Sequence, residues 1–337
     1  MVAKRRVLSG MQPTGELHLG NYFGALQQWA RISRDDEYDA LFCVVDAHAI
    51  TVDYPPRELP GRVLHAVASY VAGGIDPERS TIFLQSDVPQ HMELTWYLTT
   101  LTPMGDLQRM TQFKDKSDQH KQNVNAGLFT YPILMAADIL LYKADVVPVG
   151  DDQLQHLELT RELCRKFNRR FGEVFPEPKP LLSRTPRIMG LDGKTKMSKS
   201  LDNTIGLLDD SKLLKKKLRS AYTDPLKLRQ GDPGHPDRCN LFTLHGALEE
   251  SEALDEIEAG CRSGALGCGA CKQRLGESLG AHLAPIRERA LELEARPEET
   301  RNLLRSGAVR ARELAEATMR EVRAAMGLTT SEPPGAR

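Results

Sequence analysis

At 337 residues, 40% hydrophobic and 27% charged with a net charge of −1, the chain has the composition of a globular protein with room for about two domains. No apolar run approaches the roughly 20 residues of a membrane-spanning helix, and the first ten residues lack the apolar segment of a secretion signal, so the expectation is a cytoplasmic protein without a membrane partner. Near-neutrality argues against a non-specific coat on nucleic acid but leaves room for a local basic face such as residues 212–219.

Val7 and Leu8 predict a strand, Gly10, Pro13 and Gly15 a tight loop, and Leu19, Phe23, Leu26 and Trp29 a helix. A helix starting near His18 to Asn21 points free N–H groups and a positive dipole end beyond the sheet edge, where an anion fits. His18 and Asn21 add donors and Gly20 allows a ligand to lie against the backbone; an ordinary strand-to-helix turn would read the same way. Residues 40–45 and 81–84 are continuous apolar runs of the kind buried on both faces of a parallel sheet, with helical crossovers at 57–73 and 94–101. That is a doubly wound pattern, whose ligands lie outside the carboxyl ends of the strands. His48 follows the first run and either borders such a pocket or sits as a satisfied core histidine.

In residues 130–139, Tyr131, Met135, Asp138 and Ile139 share one helix face among apolar neighbours. A carboxylate there needs a donor, either a ligand N–H or a structural Arg or Lys. Residues 145–150 predict another strand despite Pro148, and Asp151 and Asp152 are placed to cap the long helix that follows. Proline-rich residues 176–186 read as a linker. The loop after it carries Lys194, Lys196 and Lys199, whose mutual repulsion calls for an anion between them unless it is a solvated charge run. From Leu207 the pattern is helical, at 213–218, 241–257, 275–293 and 298–326 with a break near Gly307, and residues 329–337 read as a frayed tail. The expected division is 1–186, 187–205, 206–328 and the tail, the last helix being free to pack back on the first part.

Cys43 and Cys164 lie in apolar contexts and read as inert core thiols. Cys239, Cys261, Cys268 and Cys271 gather in the helical part, the last three in a glycine-rich stretch, which in a cytoplasmic protein favours a metal over disulfides. An iron–sulfur cluster ranks first, zinc second and idle thiols third.

Residues 10–21, ending His18-Leu-Gly-Asn21, and Lys196-Met-Ser-Lys-Ser200 together resemble the two signatures of class I aminoacyl-tRNA synthetases, with Asn21 in place of the general signature's last histidine. Within that class residues 10–21 most resemble the tryptophanyl-tRNA synthetase family, and the resemblance extends over nearly the whole chain. It implies a Rossmann-like doubly wound parallel α/β sheet followed by an α-helical anticodon-binding domain, a homodimer, and L-tryptophan, tRNA(Trp) and ATP with Mg²⁺ as partners. It further implies that Lys196 and Lys199 hold the β- and γ-phosphates within a loop including Met197, Ser198 and Ser200. Gln12, Pro13, Thr14, His18, Gly20 and Asn21 would line the nucleotide, and Lys116 would make a further phosphate contact. Gly150, Asp151 and Asp152 would meet the ribose and Ile188 the adenine. Asp138 would accept the indole N–H, Met135, Ile139, Val147 and Val149 would form the ring slot with His48 at its border, and Tyr131 and Gln153 would stand near the ammonium. Members of that family with a similar cysteine set hold a [4Fe–4S] cluster beside the anticodon-recognition surface; their spacing after the first cysteine differs from the one here, which makes Cys239 the weakest of the four candidates. The alternatives are a tyrosyl-tRNA synthetase, a cofactor nucleotidyltransferase and a non-charging RNA-binding paralogue.

Overall fold

Alternate residues of the apolar runs enter two separate cores, which is why the runs show no polar face. Val7, Ala40, Phe42, Val44 and Ile82 pack into one cluster, while Leu8, Leu41, Cys43 and Phe83 pack into another on the opposite side. The computed structural model describes residues 4–111, 124–182, 188–198, 201–229 and 231–329. Lys116, Lys199, Ser200 and residues 330–337 of the tail lie outside the described residues.

Strands β1 (Arg5–Met11), β2 (Tyr38–Val44), β3 (Thr81–Leu84), β4 (Val146–Val149) and β5 (Lys179–Leu182) form one parallel sheet in the order β3-β2-β1-β4-β5. The order reverses between β1 and β4, the position where a doubly wound sheet offers its ligand crevice. The β1–β4 ladder is confined to Val7↔Val146, and Pro148, further along β4, has no N–H to donate. β5 corrects the linker expected at 176–186: Pro180 is tolerated because β5 lies at the sheet edge, exposed at all but Leu181.

On the first face, α1 (Leu19–Asn21), a π-helical turn (Tyr22–Leu26) and α2 (Gln27–Arg34) bury Leu19, Phe23, Leu26 and Trp29, each worth roughly 1.5–3 kcal/mol as a filled side chain. Among the described residues, the remaining helices of this half are α3 (Asp46–Ala49), α4 (Leu59–Ala72), α5 (Gln90–Thr99), α6 (Met104–Gln108), α7 (Ala126–Leu141) and α8 (Leu154–Phe171). Neither Asp151 nor Asp152 caps α8: both lie in a 3₁₀ turn, and Gln153 is the N-cap without a side-chain bond.

The later chain is helical: α9 (Ser211–Ser220), α10 (Asn240–Gly246), α11 (Ser251–Ser263), α12 (Cys268–Ala295) and α13 (Pro297–Ala325). The stretch 241–257 is thus two helices rather than one. α12 packs against α4 and α9. α13 lies on β3 and α5 and runs unbroken through Gly307, where a Cβ would come within 1.9 Å of the Ile82 carbonyl oxygen. That glycine marks the closest approach of helix to strand, not a helix stop. Arg310, Arg312 and Arg323 fasten α13 to Asp39, the Asp87 carbonyl and Glu93. Among the described residues, no helix is long and apolar enough to cross a membrane.

Candidate active site

The chain leaves β1 at Met11, and Gln12, Pro13 and Thr14 form the turn above the sheet, the Thr14 N–H donating to the Gln12 carbonyl at 2.9 Å. His18 is the N-cap of α1, and its backbone N–H donates to Asn21 Oδ1 at 3.1 Å. Asn21 therefore secures the helix start with its oxygen and keeps its amide N–H₂ as the donating half.

The lysine loop is a hairpin. Met189 bridges to Lys196, and the Gly190 N–H donates to the Thr195 carbonyl at 2.8 Å. At its tip Asp192 accepts from the Thr195 hydroxyl and the N–H groups of Lys194 and Thr195, and these bonds, the hydroxyl foremost, pull its carboxyl down to about 2. Asn203, which sequence reasoning missed, is buried beneath: Oδ1 accepts from the Ser198 N–H at 2.7 Å, and Nδ2 donates to Thr195 Oγ1 at 2.9 Å and the Lys196 carbonyl at 3.2 Å. Gly190 makes room for it, since a Cβ there would sit 2.0 Å from Asn203 Nδ2.

The two signatures meet. His18 bridges antiparallel to Gly206, with Leu19 N–H to the Ile205 carbonyl at 3.0 Å and Leu207 N–H to the Leu17 carbonyl at 2.7 Å. A Cβ on Gly20 would lie 3.6 Å from Cβ of Met197, which is itself buried. Lys196 Nζ stands 3.7 Å from Asp152 Oδ2, so the end of β4 joins the same crevice. Both partners are half-exposed, and such a pair is worth at most about 1 kcal/mol, small enough for an incoming anion to replace. Ile188 is buried at the base of the hairpin.

The face of α7 predicted to carry selectivity is buried at Tyr131, Asp138 and Ile139 and half-buried at Met135, and Val147 and Val149 are buried in β4. Gln153 is half-buried at the start of α8. Among the described residues, neither an Arg nor a Lys bonds Asp138. Oδ1 accepts from Gln85 Nε2 at 2.7 Å and His91 Nδ1 at 2.7 Å, and Oδ2 from His48 Nε2 at 2.8 Å. Burial resists its ionisation, but the bonds and charge of His48 and His91 outweigh this and hold the carboxyl below the ordinary range. His91 Nε2 also lies 2.8 Å from the Tyr142 hydroxyl, whose pKa burial pushes up, so the ring spans the Asp138 carboxylate and that phenol. A carboxylate offers about four acceptor positions, so Oδ2 keeps one for a further donor. Tyr131 hydrogen-bonds His156 Nε2 at 2.9 Å and lies edge-on to His48. Gln85, at the carboxyl end of β3, was findable from the rule that ligands gather at strand ends. His91, Tyr142 and His156 carried no signal in apolar periodicity.

All six cysteines are free thiols, with Cys43 and Cys164 buried. The other four lie on helix ends rather than in a glycine-rich loop: Cys239 precedes α10, Cys261 ends α11, and Cys268 and Cys271 open α12. Burial, followed by the charges of Cys239, Cys261 and Cys268, pushes the Cys271 thiol up to about 12, which places the four within electrostatic reach of one another. The Lys227 ammonium pulls the other way on Cys261 and Cys271. The four thiols suit a soft metal by chemistry, but as placed no three His, Cys, Asp or Glu among the described residues converge as ligands of one ion. A cavity of about 450 Å³ bounded by Lys4, Arg6, Asp39, Arg79 and Arg310 lies at the amino ends of β1 and β2, away from both signatures, and Arg6 and Arg310 there already pair with Asp39.

A parallel sheet whose switch point is ringed by a His-Leu-Gly-Asn turn and a Lys-Met-Ser loop is the nucleotide-activating architecture of class I synthetases. The family model described as tRNA synthetases class I (W and Y) matches residues 3–284, and the chain belongs to that family. Within it the chain sits with the tryptophan branch. It is 48% identical over 325 residues to the tryptophan–tRNA ligase of Deinococcus radiodurans, covering 96% of this chain and 98% of that one. It is 45% identical over 330 residues to that of Helicobacter pylori, covering 96% and 99%. The Campylobacter jejuni tryptophanyl-tRNA synthetase, solved with ADP and tryptophan, superposes with a TM-score of 0.85 at 37% identity, covering 96% of this chain and 99% of that one.

Proposed function

We propose that the chain joins L-tryptophan to ATP as tryptophanyl-adenylate and passes the tryptophanyl group to tRNA(Trp), in the cytoplasm. The observation that carries this reading is the contact between the two signatures, which puts Lys196 and the His18–Asn21 turn around one crevice. In the first step the tryptophan carboxylate attacks the α-phosphate in line and pyrophosphate leaves; in the second, the terminal ribose 2′-hydroxyl attacks the mixed anhydride. Neither step requires an enzyme nucleophile, so the chain supplies alignment and positive charge. Lys196 would exchange Asp152 for the β- and γ-phosphates, with Lys199, Ser200 and Lys116 as further contacts and Ser198 in the same loop. Asn21, His18, Gly20, Gln12, Pro13 and Thr14 would bound the triphosphate and Ile188 the adenine, while Asp152, once freed, turns with Gly150 and Asp151 to the ribose. Mg²⁺ bound by the phosphates would share in neutralising them. Asp138 Oδ2 would take the indole N–H, Met135, Ile139, Val147, Val149 and His48 would bound the ring, and Tyr131 and Gln153 would stand by the ammonium.

The basic helix α9 suits a tRNA backbone, and the exposed Met92, Trp96 and Met104 on α5 and α6 suit a homodimer contact. The purified chain should catalyse tryptophan-dependent exchange between ATP and pyrophosphate, with tyrosine a poor substitute. Exchange that follows tyrosine, or no amino acid at all, overturns the reading.

Cys239, Cys261, Cys268 and Cys271 are proposed to hold a [4Fe–4S] cluster, which the gathering of four soft sulfur donors at the starts of α10 and α12 and the end of α11 supports. Protein purified without oxygen should be brown and carry iron in near-stoichiometric amount; a colourless, zinc-loaded sample points to zinc instead.

A further inference from the structure

Asn240 opens α10 directly after Cys239 and is buried. Its Nδ2 donates to the Gly190 carbonyl at 2.6 Å, while its Oδ1 is buried without a partner among the described residues. An unpaired buried amide oxygen is unfavourable, and an apolar residue of the same shape would avoid that cost, so the donating half is what the position requires. That carbonyl belongs to the lysine hairpin, where it also accepts the Gly193 N–H at 2.9 Å, while the Gly190 N–H pairs with the Thr195 carbonyl and Met189 bridges to Lys196. The hairpin's other anchors come from nearer in the chain, with Asn203 from below and the Tyr222 N–H to the Leu191 carbonyl at 2.7 Å. Asn240 is the tie from the thiol-bearing helical part.

We propose that Asn240 is a positioning residue for Lys196, acting through the Gly190 carbonyl, so that the helical segment starting at Cys239 sets where the phosphate-binding lysine stands. The inference rests on the reading of Lys196 as a phosphate ligand. Its geometry makes a mechanical claim that stands apart from catalysis: removing the Nδ2 donor loosens the hairpin, and any shift of the segment at Cys239 reaches the same carbonyl.

The test uses Asn240→Leu, with Asn240→Ala as a second variant in case the first does not fold. In the unliganded full chain, trypsin should release fragments ending at Lys194 or Lys196 about tenfold faster than in the wild type, while the thermal midpoint is not lowered. In tryptophan-dependent pyrophosphate exchange, KM for ATP should rise about tenfold with equilibrium tryptophan binding within about twofold, because the misplaced group acts only on the phosphates. Wild-type cleavage at the hairpin in a folded variant overturns the proposal. So does a loss of tryptophan binding as large as the loss in exchange, since that would mark a general packing defect. Faster cleavage in a chain whose wild type shows no exchange supports the tie and removes the synthetase reading instead.

Discussion

Lys196→Ala is expected to slow tryptophan-dependent ATP–pyrophosphate exchange by about 10²- to 10³-fold, the scale of removing one preorganised charge from a transition state. The chemistry has no enzyme nucleophile to fall back on, so the loss of one phosphate cation falls directly on the step that releases pyrophosphate. The fold should not notice. Lys196 is exposed, and its ion pair with Asp152 spans 3.7 Å. Tryptophan binding should stay within about twofold, because the pocket proposed for the amino acid lies at α7 and β4. Stopped-flow or exchange kinetics set beside equilibrium tryptophan binding decide it; a parallel fall in both would take the lysine out of the phosphate site.

Asp138→Ala should weaken tryptophan binding and remove the preference for tryptophan over phenylalanine, and it should also destabilise the protein by about 3–5 kcal/mol, the usual cost of stripping one partner from a buried charged network. The two effects share a cause. His48, Gln85 and His91 all converge on this carboxylate, and without it three buried polar side chains lose their acceptor. Asp138→Asn separates the effects: the amide oxygen can still accept from Gln85 and His91, but the amide nitrogen meets His48 and an indole N–H as a donor facing donors. Its selectivity should fall as far as in the alanine variant, with a smaller loss of stability. Because the folded-state carboxyl lies below its ordinary value, the stability it contributes is fully present above the unfolded pKa of about 3.9 and is lost as pH falls through the folded value. Acid titration of both proteins should show that component in the wild type and not in the asparagine variant. Unchanged preference for tryptophan in either variant would show that the indole is read elsewhere.

Much of this molecule is legible from side-chain order alone. Runs such as Ala40 to Val44 announce a sheet covered on both faces because no residue in them can face water, and the His18 and Lys196 stretches carry donors and cations that suit an anion. What was hidden depends on distance in space rather than along the chain. Pro180 argues against a strand until one knows it sits at an edge, and Gly307 looks like a helix stop until β3 is seen against it. The partners of Asp138 come from α3, the turn after β3, and α5, three places that no periodicity connects. The thiol-bearing stretch reads as a loop because its glycines suggest one, yet Cys268 and Cys271 occupy the first turn of α12, which the helix-favouring residues after Cys271 carry forward.

The seat of α13 on β3 also governs how the chain is made. A ribosome delivers β3 more than 200 residues before the helix that covers it, so at about 5–20 residues per second the outer strand waits roughly 10–40 s for its cover. During that interval the nascent sheet has an open margin and is vulnerable to pairing with other chains. Completion of the first half of the protein thereby waits until synthesis has passed α13, and a product truncated before Pro297 never acquires that cover.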